Sequence, residues 1–245
     1  LKIKEKSKLN FFEEDIYNIL NKKRHQNIAS FISLLIDKDY YYFIYEYVEG
    51  YSLLEYIKKY GQLKESDIKC ILNQILDGVE FLHKNNILHC DLKLENIIIN
   101  NKKELKIIDF DLSVVCDNEE GYISNNIFGT LQYIAPESYD LCIYSKKTDI
   151  WQIGIIMYIL IANKFPHDDS EITIVNSHSN LGRQNIFKHI DLSITKEIII
   201  DKKFDISLYY LLNNMLHFKD KQRYNIDEIK KSQWLKSKKI DINIS

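Results

Sequence analysis

The stretch His89-Cys90-Asp91-Leu92-Lys93-Leu94-Glu95-Asn96, followed thirteen residues after Asn96 by Asp109-Phe110-Asp111, constrains this chain more than any other. Two apolar runs, Ile97-Ile98-Ile99 and Leu105-Lys106-Ile107-Ile108, flank the polar segment Asn100 to Glu104, a pattern that predicts two short strands joined by a hairpin. Such a hairpin carries Asn96 and Asp109 to the same end of one small sheet. Three oxygen-bearing side chains, Asp91, Asn96 and Asp109, then converge with the ammonium of Lys93, as hard Mg²⁺ ions and a phosphate chain require.

The constellation resembles the catalytic loop and metal-binding segment of eukaryotic protein kinases, H-R-D-x-K-x-x-N and D-F-G. The resemblance continues through Phe128-Gly129-Thr130 to Ala135-Pro136-Glu137, like the segment ending in A-P-E. Asp149-Ile150-Trp151-Gln152-Ile153-Gly154 is like the D-x-W-x-x-G that opens a buried helix, and Arg223 follows near the end. Any one of these is weak, whereas four in order are specific. The resemblance implies an α+β, bilobal protein-kinase-like fold. Residues 1–48 would form a truncated N-terminal β-sheet lobe, 49–236 a mainly helical C-terminal lobe, and 237–245 a tail. The segments Tyr209 to Leu216 and Ile226 to Leu235 resemble the closing helices of the calcium/calmodulin-dependent group, of serine/threonine type. No EF-hand loop accompanies them, so calcium control is an analogy only.

Composition narrows the alternatives. The 245 residues suffice for a substantial core, and 45% hydrophobic with 28% charged residues is ordinary for a globular protein. A formal net charge of −2 gives no basic excess for a nucleic-acid partner beyond a nucleotide. Cys70, Cys90, Cys116 and Cys142 form no CxxC pair and read as reduced thiols. The longest apolar run, Ile150 to Ala162, is too short to span a bilayer, and residues 1–15 lack a secretory core. An intracellular protein, cytoplasmic or nuclear, is expected.

In the small lobe, Leu1-Lys2-Ile3-Lys4 alternates as a half-buried strand does. By resemblance Lys2 grips the α- and β-phosphates of ATP. Lys4 shares its face and is the second choice, and an exposed edge lysine is the bland reading of either. The first glycine is Gly50, so no G-x-G-x-x-G loop precedes that strand; either the sequence begins inside the small lobe or the domain is degenerate. Residues 11–24 read as a helix with Glu13, Glu14 and Asp15 at its start. Counting back without gaps from His25-Gln26-Asn27-Ile28, like the family's H-P-N-I, puts Ile16 where the lysine's glutamate partner should stand. Glu13 lies one turn earlier, as that partner or as a solvated dipole partner. Ile28 to Asp37 and Tyr40 to Val48 read as a hairpin. Tyr45 resembles the gatekeeper and is equally a core aromatic. Glu46-Tyr47-Val48 resembles the hinge that hydrogen-bonds adenine, and Ile98 is a further ATP-binding residue that the resemblance implies.

In the large lobe, Ser52 and Glu55 form a capping-box pattern before a helix ended by Gly61, and Ser66 to Leu82 predicts a long amphipathic helix. The resemblance implies that Asp91 accepts the substrate hydroxyl proton, Lys93 neutralises the γ-phosphate, and Asn96 and Asp109 hold Mg²⁺. Glu95 contacts a basic peptide side chain or is a plain loop acid. Thr130 belongs to the substrate-docking segment and bonds Asp91 and Lys93. His89 is structural, and Glu137 pairs with Arg223. Two departures stand out. Cys90 replaces the arginine that binds an activation-segment phosphate, and Asn126 occupies the matching phosphosite, so activity should not require phosphorylation there. Asp111 replaces the glycine of D-F-G, whose role is backbone freedom, and so bears on loop mobility more than on metal binding. Residues 167–205 carry no legible chemistry. The reading is a serine/threonine protein kinase using ATP and Mg²⁺ on protein substrates, with no regulatory partner identified; the alternative is an inactive pseudokinase acting as a scaffold.

Overall fold

Strand β1 (Lys2–Glu5) pairs antiparallel with β3 (Tyr40–Tyr45), and β3 pairs with β2 (Phe31–Ile36), giving a three-stranded sheet in the order β1-β3-β2. The computed structural model describes residues 1–8, 12–166, 199 and 204–237. Lys2 stands opposite Phe43 and Lys4 opposite Tyr41, so the two-residue pleat puts both ammonium groups on one face. Helix α1 (Glu13–Lys22) buries Glu13, Ile16, Tyr17 and Leu20; Tyr17 packs on the small sheet, while Ile16 and Leu20 join the core of the large lobe. That spacing of three, four and seven is one helical stripe, and its first position is an acid. Tyr17 lies between Phe31 and Phe43, with ring centroids 4.7 and 4.4 Å away.

The large lobe is built on buried helices. Its first sheet orders β4 (Tyr51–Ser52), β6 (Ile97–Ile99) and β7 (Leu105–Ile107), with Ile97 opposite Ile107 and Ile99 opposite Leu105. This is the hairpin expected between Asn96 and Asp109. Helix α2 (Leu53–Tyr60) begins with the Ser52–Glu55 capping box and ends at Gly61 with φ of 69°. Helix α3 (Glu65–Lys84) delivers the chain to β5 (Ile87–Leu88), which pairs with β8 (Val114–Val115). Strand β9 (Tyr122–Ile123) pairs with β10 (Ile143–Tyr144) on either side of α4 (Pro136–Leu141).

Helix α5 (Lys146–Ala162) is apolar around its whole circumference and is enclosed on all sides, as such a helix must be in water. Helix α6 (Ser207–Met215) packs against it, and a Cβ on Gly154 would come within 2.7 Å of Leu216 Cδ2, so a larger residue there would make Leu216 shift. Helices α7 (Ile226–Lys230) and α8 (Gln233–Lys236) close the lobe, with Trp234 Nε1 donating to Glu65 Oε1 at 2.8 Å.

The lobes are stitched behind the site. Ile28 bridges Ile107 in parallel, Ala29 N donates to Ile107 O at 2.9 Å, and Ile107 N donates to Asn27 O at 2.8 Å. The chain is thus bilobal, with a β-rich small lobe and a mainly helical large one. Almost all of the uninterpreted stretch 167–205, and the tail from 238, lie outside the described residues. No helix among the described residues is long and apolar enough to cross a membrane.

Candidate active site

Two side chains of α5, one turn apart, hold the loop that follows β5. Asp149 accepts from His83 Nε2 at 2.7 Å and His89 N at 3.0 Å through Oδ2, and from Cys90 N at 2.9 Å through Oδ1. Gln152 Oε1 accepts from Leu92 N, and its Nε2 donates to Cys90 O, both at 2.8 Å. Residues three apart on a helix share a face, so both reach the same loop. His89 donates from Nε2 to Ile108 O at 3.2 Å and accepts from Asp91 N through Nδ1 at 3.3 Å, the bonding of a neutral ring. Complete burial pushes its pKa down in the same sense. His89 therefore ties the loop to the turn before Asp109, the structural role expected.

The loop presents Asp91, which is 6% exposed and bonded through both oxygens. Thr130 donates to Oδ1 from its hydroxyl at 2.7 Å and from its backbone N at 2.9 Å. Lys93 Nζ donates to Oδ2 at 2.8 Å and to Thr130 Oγ1 at 2.8 Å. Asn96 Nδ2 reaches Asp91 O at 2.9 Å and Oδ2 at 3.3 Å. Asp91, Lys93, Asn96 and Thr130 thus form one hydrogen-bonded unit. Thr130 is engaged with Asp91 and Lys93, while Glu95 is exposed beside them. Gly129 has φ of 101°, and a Cβ there would lie 3.1 Å from Cys90 O, so glycine lets this segment close on the loop.

Asp109 lies at the end of the hairpin in the left-handed region, with φ of 65°. Its Oδ1 accepts from Lys2 Nζ at 2.9 Å. Burial opposes ionisation of Asp109, yet the bond and charge of Lys2 outweigh it and hold the carboxyl below its ordinary range. Burial likewise works against the charge of Lys2, and Asp111 and Asp109 overcome it and raise its pKa. The donor set suits a hard cation: the amide nitrogen of Asn96 is committed to Asp91, which leaves its oxygen, and Asp109 is held as a carboxylate.

The expected pairing of Glu13 with Lys2 is not what forms. Glu13 pairs with Lys4, while Lys2 pairs with Asp109 and Asp111. The reason is the register of α1: its inward stripe carries a charge at 13 alone, and that position faces the second lysine of β1. Burial raises the pKa of Glu13 against the pull of Lys4. Asp111, which replaces the glycine of the family pattern, does not have a positive φ. The turn uses left-handed backbone at Asp109 instead, so a glycine at 111 is not required in this arrangement.

A cavity of about 430 Å³ opens between the lobes. Ala29, Val48, Ile98 and Ile108 give it apolar walls, Glu46 and Tyr47 lie along its hinge side, and Lys2 and Asp109 stand at its polar end. All four expected nucleotide residues, Lys2, Glu46, Val48 and Ile98, line this one space. The side chain of Glu46 is occupied by Lys106 Nζ at 2.8 Å and Ser30 N at 2.6 Å. Behind the cavity Tyr45 donates to the Tyr17 hydroxyl at 2.6 Å, so the gatekeeper position is also a core aromatic. Sequence reasoning missed Ala29 and Ile108 as walls and gave Gln152 no role; the only signal for Gln152 was its place one turn after Asp149.

Cys90 has φ of 66° and is packed with Leu88, Val114 and Tyr144. Burial pushes its thiol well above the ordinary range, so it is neither a charge partner nor a nucleophile.

Comparison with known proteins agrees with this geometry. A family model described as the protein kinase domain matches residues 2–235. The chain is similar to a probable serine/threonine-protein kinase KIN1 homolog of Enterocytozoon bieneusi, 30% identical over 86% of this chain and 33% of that protein. It is also similar to CBL-interacting serine/threonine-protein kinase 13 of Arabidopsis thaliana, 32% identical over 89% of this chain and 41% of the relative. Protein kinase kin1 of Schizosaccharomyces pombe is 33% identical over 65% of this chain and 18% of its own length. The chain spans less than half the length of these curated relatives. With nearly the whole sequence inside the family match and the loop, hairpin and buried helix in their places, this chain belongs to the protein kinase domain family.

Proposed function

We propose that this chain acts as a serine/threonine protein kinase domain, transferring the γ-phosphate of ATP to hydroxyl groups of protein substrates. The observation that carries the reading is the fixed carboxylate of Asp91, held through both oxygens by Thr130, Lys93 and Asn96. Folding alone does not call for an acid, an ammonium, an amide and a hydroxyl gathered at one loop.

In the reaction, Asp91 accepts the proton of a serine or threonine hydroxyl as its oxygen bonds to the γ-phosphorus. The bond from that phosphorus to the bridging oxygen breaks, and ADP leaves. Lys93 faces the charge on the transferring group. The apolar walls at Ala29, Val48, Ile98 and Ile108 suit adenine, the backbone of Glu46 and Val48 suits its polar edge, and Lys2 grips the α- and β-phosphates. Mg²⁺ would be held by Asn96 and Asp109, and when bound it neutralises phosphate charge. Catalysis of this kind is mostly positioning and electrostatic complementarity. Glu95 is proposed to meet a basic side chain of the peptide. An intracellular setting, cytoplasmic or nuclear, fits four free cysteines.

The test is transfer of labelled phosphate from Mg-ATP to mixed serine and threonine peptides, by this chain and its Asp91→Asn variant. Transfer that vanishes in the variant is expected. Equal transfer by both proteins, or none by either with no nucleotide binding, overturns the reading.

A further inference from the structure

The metal-binding turn carries one carboxylate that the family pattern does not use. Asp111 Oδ2 pairs with Lys2, and Asp111 Oδ1 lies 3.1 Å from Lys4 Nζ. Its side chain is 27% exposed, against 33% for Lys2, 15% for Lys4 and 0% for Glu13. The two lysines stand two residues apart on one face of β1, so their attachment points lie roughly 6.5 Å apart, and a single carboxylate with one oxygen toward each spans them.

Helix α1 has no charge left for Lys2. Its core-facing stripe reads Glu13, Ile16, Tyr17 and Leu20, and Glu13 is taken by Lys4. Asp109 is the other neighbour of Lys2, but its oxygens are those the proposed cation needs. A half-buried ammonium whose second carboxylate turns to a cation requires another anion to stay ordered. The backbone at Asp111 carries this side chain without left-handed geometry, so the substitution costs the turn nothing here.

We propose that Asp111 is a positioning residue of the nucleotide site: it holds Lys2 toward the phosphates, the task that a helix glutamate performs elsewhere in the family. The inference rests on the phosphotransfer reading above. Lys2 is thereby fixed from the large lobe's turn, and α1 instead holds Lys4.

The experiment is calorimetric titration of the whole chain with ADP, with and without Mg²⁺, for the wild type and for Asp111→Gly, Asp111→Asn and Asp111→Glu. Thermal melting confirms that each variant is folded. Glycine and asparagine should weaken ADP about tenfold, equivalent to about 1.4 kcal/mol, both with and without the cation. Glutamate should recover most of the affinity. In phosphate-transfer assays the KM for ATP should rise while the KM for peptide stays put. Glycine binding ADP as tightly as aspartate overturns the proposal, and so does a loss seen only with Mg²⁺, which would make Asp111 a metal ligand. A wild-type chain that binds no nucleotide instead sinks the functional reading itself.

Discussion

Arg223 closes on Glu137 with both arms of its guanidinium, Nη1 2.7 Å from Oε1 and Nη2 3.0 Å from Oε2, across 86 residues of chain. The arginine is 1% exposed and the glutamate 9%. Arg223 also donates to His217 O at 3.1 Å and Lys147 O at 2.6 Å, and its guanidinium lies 5.0 Å from the Trp151 ring. The pair fastens the end of the docking segment to the base of the large lobe. Arg223→Met should destabilise the domain by about 3–5 kcal/mol in urea denaturation, since it strands a buried carboxylate. Adding Glu137→Gln should return part of that loss, because the stranded charge is gone.

Gln152 makes a prediction of a different kind, since it touches no reacting atom. Gln152→Leu keeps the apolar helix but leaves Leu92 N and Cys90 O buried without their partner. Each unmet buried group costs about 1–3 kcal/mol. The variant should lose stability by about 2 kcal/mol or more, and kcat should fall further than the KM for ATP rises, because the loop carrying Asp91 moves and the nucleotide walls do not.

The buried ring of His89 sets a pH dependence. Its pKa is lowered in the fold by burial, so below the ordinary value of 6.5 the unfolded chain takes up a proton that the folded chain refuses. Its contribution to stability is complete above pH 6.5 and is lost as pH falls below it. Denaturation midpoints measured at pH 7.5 and 5.5 should drop on acidification, and His89→Gln should flatten that drop. Glu13, its pKa raised by burial, acts in the opposite sense, since stability falls as pH rises past its ordinary 4.5.

Phe128 and Tyr144 stack with centroids 3.8 Å apart, and the Tyr144 hydroxyl accepts from Phe128 N at 2.7 Å and donates to Phe128 O at 2.8 Å. This uncharged clasp lies over Cys90, where a phosphate-binding arginine would stand. Phosphatase treatment should leave transfer unchanged, whereas Tyr144→Phe should lower kcat and cost about 1–2 kcal/mol of stability. Activity that disappears with phosphatase would contradict this.

Much of the site was legible because its residues lie close together along the chain. Asp91, Lys93 and Asn96 share one loop, and the two apolar runs on either side of a polar turn brought Asp109 back to them. The partner of Lys2 was not legible. Lys2 and Lys4 repeat at the strand period and so share a face, and a gapless count pointed to Ile16, which is core. Which lysine meets which acid depends on the rotation of α1 against β1, a tertiary quantity that no local pattern encodes. Ala29 escaped notice for a simpler reason: a small apolar residue after Ile28 has no motif, and it becomes a wall only because Ile107 binds its backbone.

The paired bonds between residues 27–29 and Ile107 join the two lobes through backbone alone. They rivet the root of the small sheet to the hairpin that bears Asn96 and Asp109. Between the lobes the wall at Ala29 is therefore held by backbone bonds, whereas the far end at β1 is held by charge alone, through Lys2 on Asp109 and Asp111 and Lys4 on Asp111, so salt should loosen the second junction and leave the first.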